Sequence, residues 1–475
     1  MAPVFDPLRL AQVSLDVLAA GRAPPVALAE LQQLRLGRVL QAALEGSRFY
    51  RDHLAGVAPG ARLGDLAPVT RAALMDHFGD WVTDPQVRLA DLKAFTADPA
   101  RMGEPYLGRY VVWESSGTSN QPGVFVQDAQ CMAVYDALEG LRRSLPGSLR
   151  RWCDPLYLNE RLAFVGALGG HFASHVSVER MRQLNPWMRH NVRSFTILQP
   201  VPDLVEALNG YAPTVIATYP TVAALLADEA DRGVLAFRPR EVWTGGETLG
   251  PRVRRHIERA LGCGVRNSFG ASEFLTMGWE CGHGRLHLNA DWVILEPIDE
   301  RGCGVPPGQP SASTLLTHLA NTVQPLIRYD LGDQVTVFEA PCACGSAMPV
   351  IEVQGRRDDA LVMAGPGGRR VTLLPLALTT VIEEQAGVYD FQLRQIDATT
   401  LALRLPGRDA AAREALVRCR TAIHAFAATQ GLPDLTLLEE IGQPLGRGRS
   451  GKVRRVLAVP TRPRASRNAG GTRPS

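Results

Sequence analysis

The sequence predicts an α/β fold in three parts. A large N-terminal domain of layered α/β sheets carries a β-rich subdomain, and a small, mobile α+β domain follows at the C-terminus. Three observations carry this expectation. From Tyr110 onward, short β-rich runs alternate with amphipathic segments, the texture of parallel strands covered by helices. Between Leu286 and Val353 the runs become strand-dominated, which implies an antiparallel subdomain. After Gly355-Arg356-Arg357-Asp358-Asp359 come roughly 100 residues with strand and helix signals of their own, enough for a small domain. At 475 residues the chain also exceeds the size at which a single core stops growing.

The elements follow in order. Residues 1–100 read as a helical opening of the large domain: Leu8–Ala20, Ala27–Leu44 and Arg71–Trp81 repeat apolar residues at helical spacing, broken by Pro and Gly. Residues 101–355 form the core. Its candidate strands are Tyr110–Trp113, Leu162–Val165, Val215–Ala217 and Glu241–Trp243, with helices at Thr221–Arg232 and Pro251–Leu261. A hinge is placed at 356–358 and the small domain at 359–460. The tail 461–475 holds four arginines and no acid, and reads as disordered.

Composition excludes several classes. Hydrophobic content of 45% with 21% charged residues suits a soluble globular protein, and the net charge of +3 supplies no basic stripe for nucleic acid. No apolar run reaches the ~18 residues of a membrane span, and the N-terminus lacks a basic-then-apolar leader. Eight cysteines are too few for a disulfide scaffold, so a reducing cytoplasm is expected.

Of the 51 basic residues only Lys93 and Lys452 are lysines. Where Arg serves almost everywhere, a retained lysine points to work that needs a compact ammonium on a flexible stem. Lys93 reads as a solvated surface residue. Lys452 stands in Gly446-Arg447-Gly448-Arg449-Ser450-Gly451-Lys452. That run fits a Walker-A spacing, but Val453 replaces the Ser/Thr that holds Mg²⁺ and no βαβ unit follows. No G-x-S-x-G elbow exists for a serine hydrolase.

Other motifs favour a nucleotide. Glu114-Ser115-Ser116-Gly117-Thr118-Ser119-Asn120-Gln121-Pro122-Gly123 lies between an apolar strand and a second one, Val124–Gln127. Hydroxyls and glycines in one turn suit a polyphosphate, although a solvent-exposed hairpin loop has the same composition. Val242-Trp243-Thr244-Gly245-Gly246-Glu247 ends a strand in glycines, where α/β sheets bind ligands. Asn267-Ser268-Phe269-Gly270-Ala271-Ser272-Glu273 repeats the pattern with an acid suited to Mg²⁺. Arg328-Tyr329-Asp330-Leu331-Gly332-Asp333 offers a carboxylate suited to ribose hydroxyls.

In this order the motifs resemble the adenylate-forming superfamily, and within it the phenylacetate–CoA ligase-like branch. Arg48–Arg51 and Leu66-Ala67-Pro68-Val69-Thr70-Arg71 resemble that branch's opening segment, so the likeness runs from about Leu34 to Val456. It implies an AMP-forming acid–thiol ligase. The enzyme would activate a small carboxylic acid, aryl or arylacetic, with ATP and Mg²⁺, and pass the acyl group to CoA. An amine acceptor, AMP transfer to a cofactor, and a non-enzymatic nucleotide-binding module are the alternatives. Ser115, Ser116, Gly117 and Thr118 would hold the phosphates, with Thr118 counted among the catalytic residues. Gly246, Glu247, Phe269 and Gly270 would frame adenine, Asp333 with Arg356 would hold ribose, and Glu273 would carry Mg²⁺. Asp358 would be the pivot, and Lys452 would bridge the substrate carboxylate and the α-phosphate. A homodimer is expected by analogy. Departures are Gln121 at the family's phosphate-loop lysine and Phe269 at its usual tyrosine.

Two further sets complete the reading. Cys281 and His287 precede Cys342 and Cys344 by about sixty residues, a set able to close a tetrahedral structural Zn²⁺ site, with His283 as substitute ligand. The resemblance implies such a zinc as well, since some members of the branch carry one. Cys131, Cys153, Cys263, Cys303 and Cys419 read as buried small residues. The resemblance places His171, Phe172, Tyr219 and Gly245 at the wall of the acyl pocket, where glycines leave room for a flat ring, although a histidine at such a place is more often structural.

Overall fold

The computed structural model describes residues 4–56, 62–115, 122–142, 160–185, 188–354, 361–388, 390–445 and 455–458. Its centre is a nine-stranded mixed sheet. From one edge the strands are Val192–Thr196, Leu162–Gly166, Val215–Thr218, Glu241–Thr244 and Gly264–Ala271, all parallel. Phe274–Glu280, Leu286–Leu288, Val350–Gln354 and Gln334–Phe338 continue it antiparallel to the other edge. Crossover helices such as Val201–Tyr211, Pro220–Asp231 and Pro251–Leu261 explain the parallel half, since parallel neighbours need such connections. The change of sign at Gly264–Ala271 follows from the two-residue turn Ser272–Glu273, too short for a crossover.

The strand expected near Tyr110 is Val111–Glu114. It pairs antiparallel with Val124–Gln127 as a separate hairpin rather than joining the parallel layer. The β-rich subdomain adds a three-stranded antiparallel sheet of Val293–Ile298, Ser313–His318 and Tyr329–Asp330. Toward the C-terminus, Thr436–Ile441, Thr400–Leu405, Gln392–Gln395 and Val456–Leu457 form a four-stranded sheet beside the helices Pro375–Ala386 and Ala410–Thr429.

The opening is helical, with Pro7–Ala20 and Pro25–Gly46 as its long members. Asp6 accepts from the Arg9 amide as the N-cap of the first. The segment Arg71–Trp81 splits into Arg71–Asp76 and Phe78–Trp81 because His77 (φ −112°, ψ 32°) leaves helical geometry. These helices are tied to the β-rich part. Tyr50 Oη and Trp81 Nε1 both donate to the Pro325 carbonyl, at 3.1 and 2.7 Å. The guanidinium of Arg142 chelates Asp291 at 2.7 and 2.8 Å and donates to Asn289, and Arg35 donates to the Asp291 carbonyl. One apolar core joins the opening helices, the hairpin and the antiparallel strands; a second runs from the parallel strands and their helices into the C-terminal sheet. Two cysteines depart from the sequence reading: Cys303 lies in an exposed turn and Cys263 is half-buried, while Cys131 and Cys419 are buried. Cys153, the hinge 356–358 and the tail 461–475 lie outside the described residues.

Candidate active site and metal centre

Parallel register fixes the floor of the site. Val165 aligns with Thr218, Thr218 with Thr244 and Thr244 with Asn267, so the strands' carboxyl ends reach one edge together. Ligands bind at such an edge. Thr244 Oγ1 donates to Asn267 Oδ1 (3.0 Å) and Ser268 Oγ to the Thr244 carbonyl (3.2 Å), stitching the turns beyond the strands. A cavity of about 1390 Å³ opens there.

Most described sequence candidates line it: Ser115, Phe172, Tyr219, Gly245, Gly246, Glu247, Phe269, Gly270, Glu273 and Asp333. Each is held by local structure. Ser115 Oγ accepts from the Gly123 amide (2.8 Å), closing the base of the hairpin turn. Gly246 has φ +76°, and a Cβ there would press on the Tyr219 ring at 3.2 Å, so glycine serves both backbone and ring. Tyr219 is half-buried, and the surrounding protein together with the Glu247 charge pushes its hydroxyl up to about 12. Glu247 is fixed by the Thr221 amide and hydroxyl, both at 3.0 Å. A β-bulge between Phe269 and Ala271 turns the polar segment toward the cavity. Gly270 is required there because a Cβ would fall 1.8 Å from the Leu275 carbonyl oxygen.

Glu273 is buried and accepts at Oε1 from Tyr329 Oη (2.7 Å) and Arg71 Nη2 (3.0 Å). Its Oε2 has no hydrogen bond among the described residues, leaving one oxygen for a cation such as Mg²⁺. Arg71 and Tyr329 were not among the sequence candidates. The signal for Arg71 was the Thr70-Arg71 helix start; Tyr329 lay inside the quoted ribose motif.

His171 is placed differently from the other pocket candidates. It is buried beside Phe95, ring centroids 5.8 Å apart, and does not line the cavity. Among the described residues neither ring nitrogen has a hydrogen-bond partner, and burial lowers its pKa. Its neighbour Phe172 faces the cavity instead.

The C-terminal part closes one side. Pro375, Thr379, Thr380 and Arg455 reach the lining. Arg455 forms a buried ion pair with Glu383, packs over the Phe391 ring and stands three residues beyond Lys452. Glu384 lies against Gly169 and Gly170; a Cβ on Gly169 would come within 1.8 Å of its carboxylate. Part of Glu384 keeps access to solvent, yet surrounding protein and the charges of Glu383 and Glu114 push its carboxyl up to about 7. Ser116, Gly117, Thr118, Arg356, Asp358 and Lys452 lie outside the described residues.

A second cluster sits at the far end of the antiparallel half. The Sγ atoms of Cys281, Cys342 and Cys344 and a ring nitrogen of His287 all lie within 4.8 Å of one another. Cys281 Sγ is 3.8 Å from Cys342 Sγ, and Cys344 Sγ is 3.4 Å from His287 Nε2. A tetrahedron with ~2.3 Å Zn–S bonds has edges of about this length. His287 Nδ1 donates to the Met348 carbonyl (2.8 Å), which leaves Nε2 for a metal. His283 is exposed and outside the cluster.

No family model matches the chain. The protein CapK of Staphylococcus aureus is 30% identical over 133 residues, so the match spans 28% of this chain and 28% of that protein. A solved 2-hydroxyisobutyryl-CoA ligase, in complex with 2-HIB-AMP and CoA in the thioesterification state, superposes with a TM-score of 0.56. Identity there is 21%, over 93% of this chain and 91% of that chain. The same ligase in the postadenylation state with R3-HIB-AMP gives 0.53 at 21% identity, covering 93% and 92%. Its open conformation gives 0.51 at 22% identity, covering 90% of each. The chain shares the fold of this solved ligase.

Proposed function

We propose that this protein is an AMP-forming acid–thiol ligase. It activates a small carboxylic acid with ATP, releasing pyrophosphate, and passes the acyl group to CoA. The observation that carries the reading is the convergence of four separate motifs on one cavity: Ser115, Gly245–Glu247, Phe269–Glu273 and Asp333. In adenylation, a carboxylate oxygen bonds to the α-phosphorus as the bond to the bridging oxygen breaks, and pyrophosphate leaves with the electron pair. Two anions must meet, so preorganised donors and a mobile cation lower the barrier. Lys452 is that cation in this reading, supported by Arg455, which sets the adjoining chain at the cavity edge. Its withdrawal then admits the thiol, whose sulfur bonds to the acyl carbon as AMP departs.

Phe269 and Gly246 frame the adenine, and Asp333 accepts from the ribose hydroxyls. Glu273 would hold Mg²⁺ through Oε2, and the bound ion would neutralise phosphate charge. Phe172 and Tyr219 on the cavity wall favour an aryl or arylacetic acid. The Cys281–His287–Cys342–Cys344 cluster would hold Zn²⁺ as a structural clip between two turns, with no position left open for chemistry. Pyrophosphate release is measured across a panel of acids, followed by mass spectrometry of the product with and without CoA. An acid-dependent signal and an acyl-CoA product are expected. ATP binding without release for any acid would instead identify a nucleotide-binding module.

A further inference from the structure

The segment Glu114–Gly123, which the resemblance implies holds the ATP phosphates, contains no lysine or arginine. We propose that Arg71, contributed by the N-terminal helical segment, is the cation that grips the terminal phosphates of ATP and the departing pyrophosphate. This rests on the adenylation reading and assigns a role within that same cavity.

The geometry is specific. Arg71 lines the cavity together with Ser115 and Glu273. Its Nε donates to Tyr329 Oη at 3.1 Å and its Nη2 to Glu273 Oε1 at 3.0 Å. Its Nη1 is buried with no acceptor among the described residues. A guanidinium has five N–H donors in a fixed fork, and a buried donor without a partner is costly unless a ligand supplies one. An anion arriving beside Glu273 satisfies that nitrogen, and Arg is the side chain best matched to phosphate oxygens.

The backbone that presents Arg71 is equally constrained. Val69 bridges Tyr329 through bonds to the Arg328 carbonyl (3.0 Å) and from the Asp330 amide (2.9 Å). Arg328 clamps the carbonyls of Gly64 and Leu66 and is itself held by Glu296. Thr70 Oγ1 caps the following helix at the Ala73 amide. Two sequence-distant segments therefore fix one side chain from both ends. Burial opposes the charge on Arg71, but Tyr329 and Glu273 more than offset it and keep the guanidinium protonated. As the bond to the α-phosphorus breaks, negative charge grows on the pyrophosphate oxygens, and Nη1 is placed to meet it.

The test compares ligands that differ only in the phosphates Arg71 is assigned to hold. Dissociation constants for ATP and AMP are measured on the full-length protein, wild type and Arg71→Gln. The substitution keeps an amide donor for Glu273 but removes the charge. The KM for pyrophosphate in acid-dependent exchange is read alongside. Loss of one charge-assisted contact predicts ATP affinity and pyrophosphate KM worse by roughly 10- to 100-fold, with AMP within about twofold. Arg71→Lys should recover part of the loss and serves the same comparison if Arg71→Gln does not fold. Equal effects on ATP and AMP, or none on either, would overturn the assignment while leaving the enzyme reading intact. A wild-type protein that exchanges pyrophosphate with no acid would remove both.

Discussion

Substituting Arg455 by Met tests how the fold holds the chain that carries Lys452. Arg455 and Glu383 are both buried, with side-chain exposures of 6% and 4%. Removing Arg455 takes this ion pair away from a buried carboxylate, which costs up to about 3–5 kcal/mol. The protein has a competing escape: the strand Val456–Leu457 detaches and lets water reach Glu383. Detachment gives up the burial of Val456, about 1.5–3 kcal/mol. It also breaks the parallel pairing with Gln392–Gln395, including the Leu393 amide bond to the Arg455 carbonyl (2.6 Å), at about 1 kcal/mol per bond. The two costs are nearly equal, so Arg455→Met should leave the strand detached for much of the time. If about 2 kcal/mol of that falls on positioning Lys452, acid-dependent ATP–pyrophosphate exchange drops about 30-fold. The double variant Glu383→Leu/Arg455→Met removes both charges and should regain most of the exchange, since an apolar pair of similar volume tolerates burial. Exchange at the wild-type rate in Arg455→Met, measured beside a lowered melting temperature, would refute the anchoring role.

Three further substitutions probe other parts of the molecule. Asp291→Ala strands the buried Arg142 guanidinium and should lower stability by about 3–5 kcal/mol in urea denaturation; a loss under 1 kcal/mol would contradict the description of that pair. Glu384 has its carboxyl raised from 4.5 to about 7, so the folded state binds more protons than the unfolded state in that interval. Stability is fully present below about 4.5 and falls as pH climbs toward 7; Glu384→Gln should flatten that slope in thermal melts, and an unchanged slope would remove the cause. Cys344→Ser should reduce the zinc found by elemental analysis of the purified protein from about one ion per chain toward none, whereas no zinc in the wild type would refute the metal assignment.

Much of the fold was legible because its periodicities are local. The switch from helical spacing to strand–helix alternation is visible in Val215–Thr218, Pro220–Asp231 and Glu241–Thr244, and the helix Pro251–Leu261 matches its expected bounds. The place of Val111–Glu114 was half legible: a hairpin was one reading of the segment after it, but an apolar four-residue run does not show that the strand stays out of the parallel layer. His171 illustrates the limit on site residues. The resemblance put it on the pocket wall with Phe172, but successive side chains leave the backbone in different directions and His171 went inward against Phe95. The cysteine–histidine spacing did locate residues that converge, because turns on adjoining strands of one sheet are brought together. Arg71 was missed for the opposite reason: nothing in its own segment shows that Glu273 and Tyr329, over two hundred residues away, will surround it.

The most direct test of the central claim is acid-dependent ATP–pyrophosphate exchange in two single variants of the chain's only lysines. Lys452→Ala should abolish exchange by removing the cation that joins carboxylate to α-phosphate, while Lys93→Ala should exchange as the wild type does. Full exchange in Lys452→Ala with an acid that the wild type accepts would contradict the account.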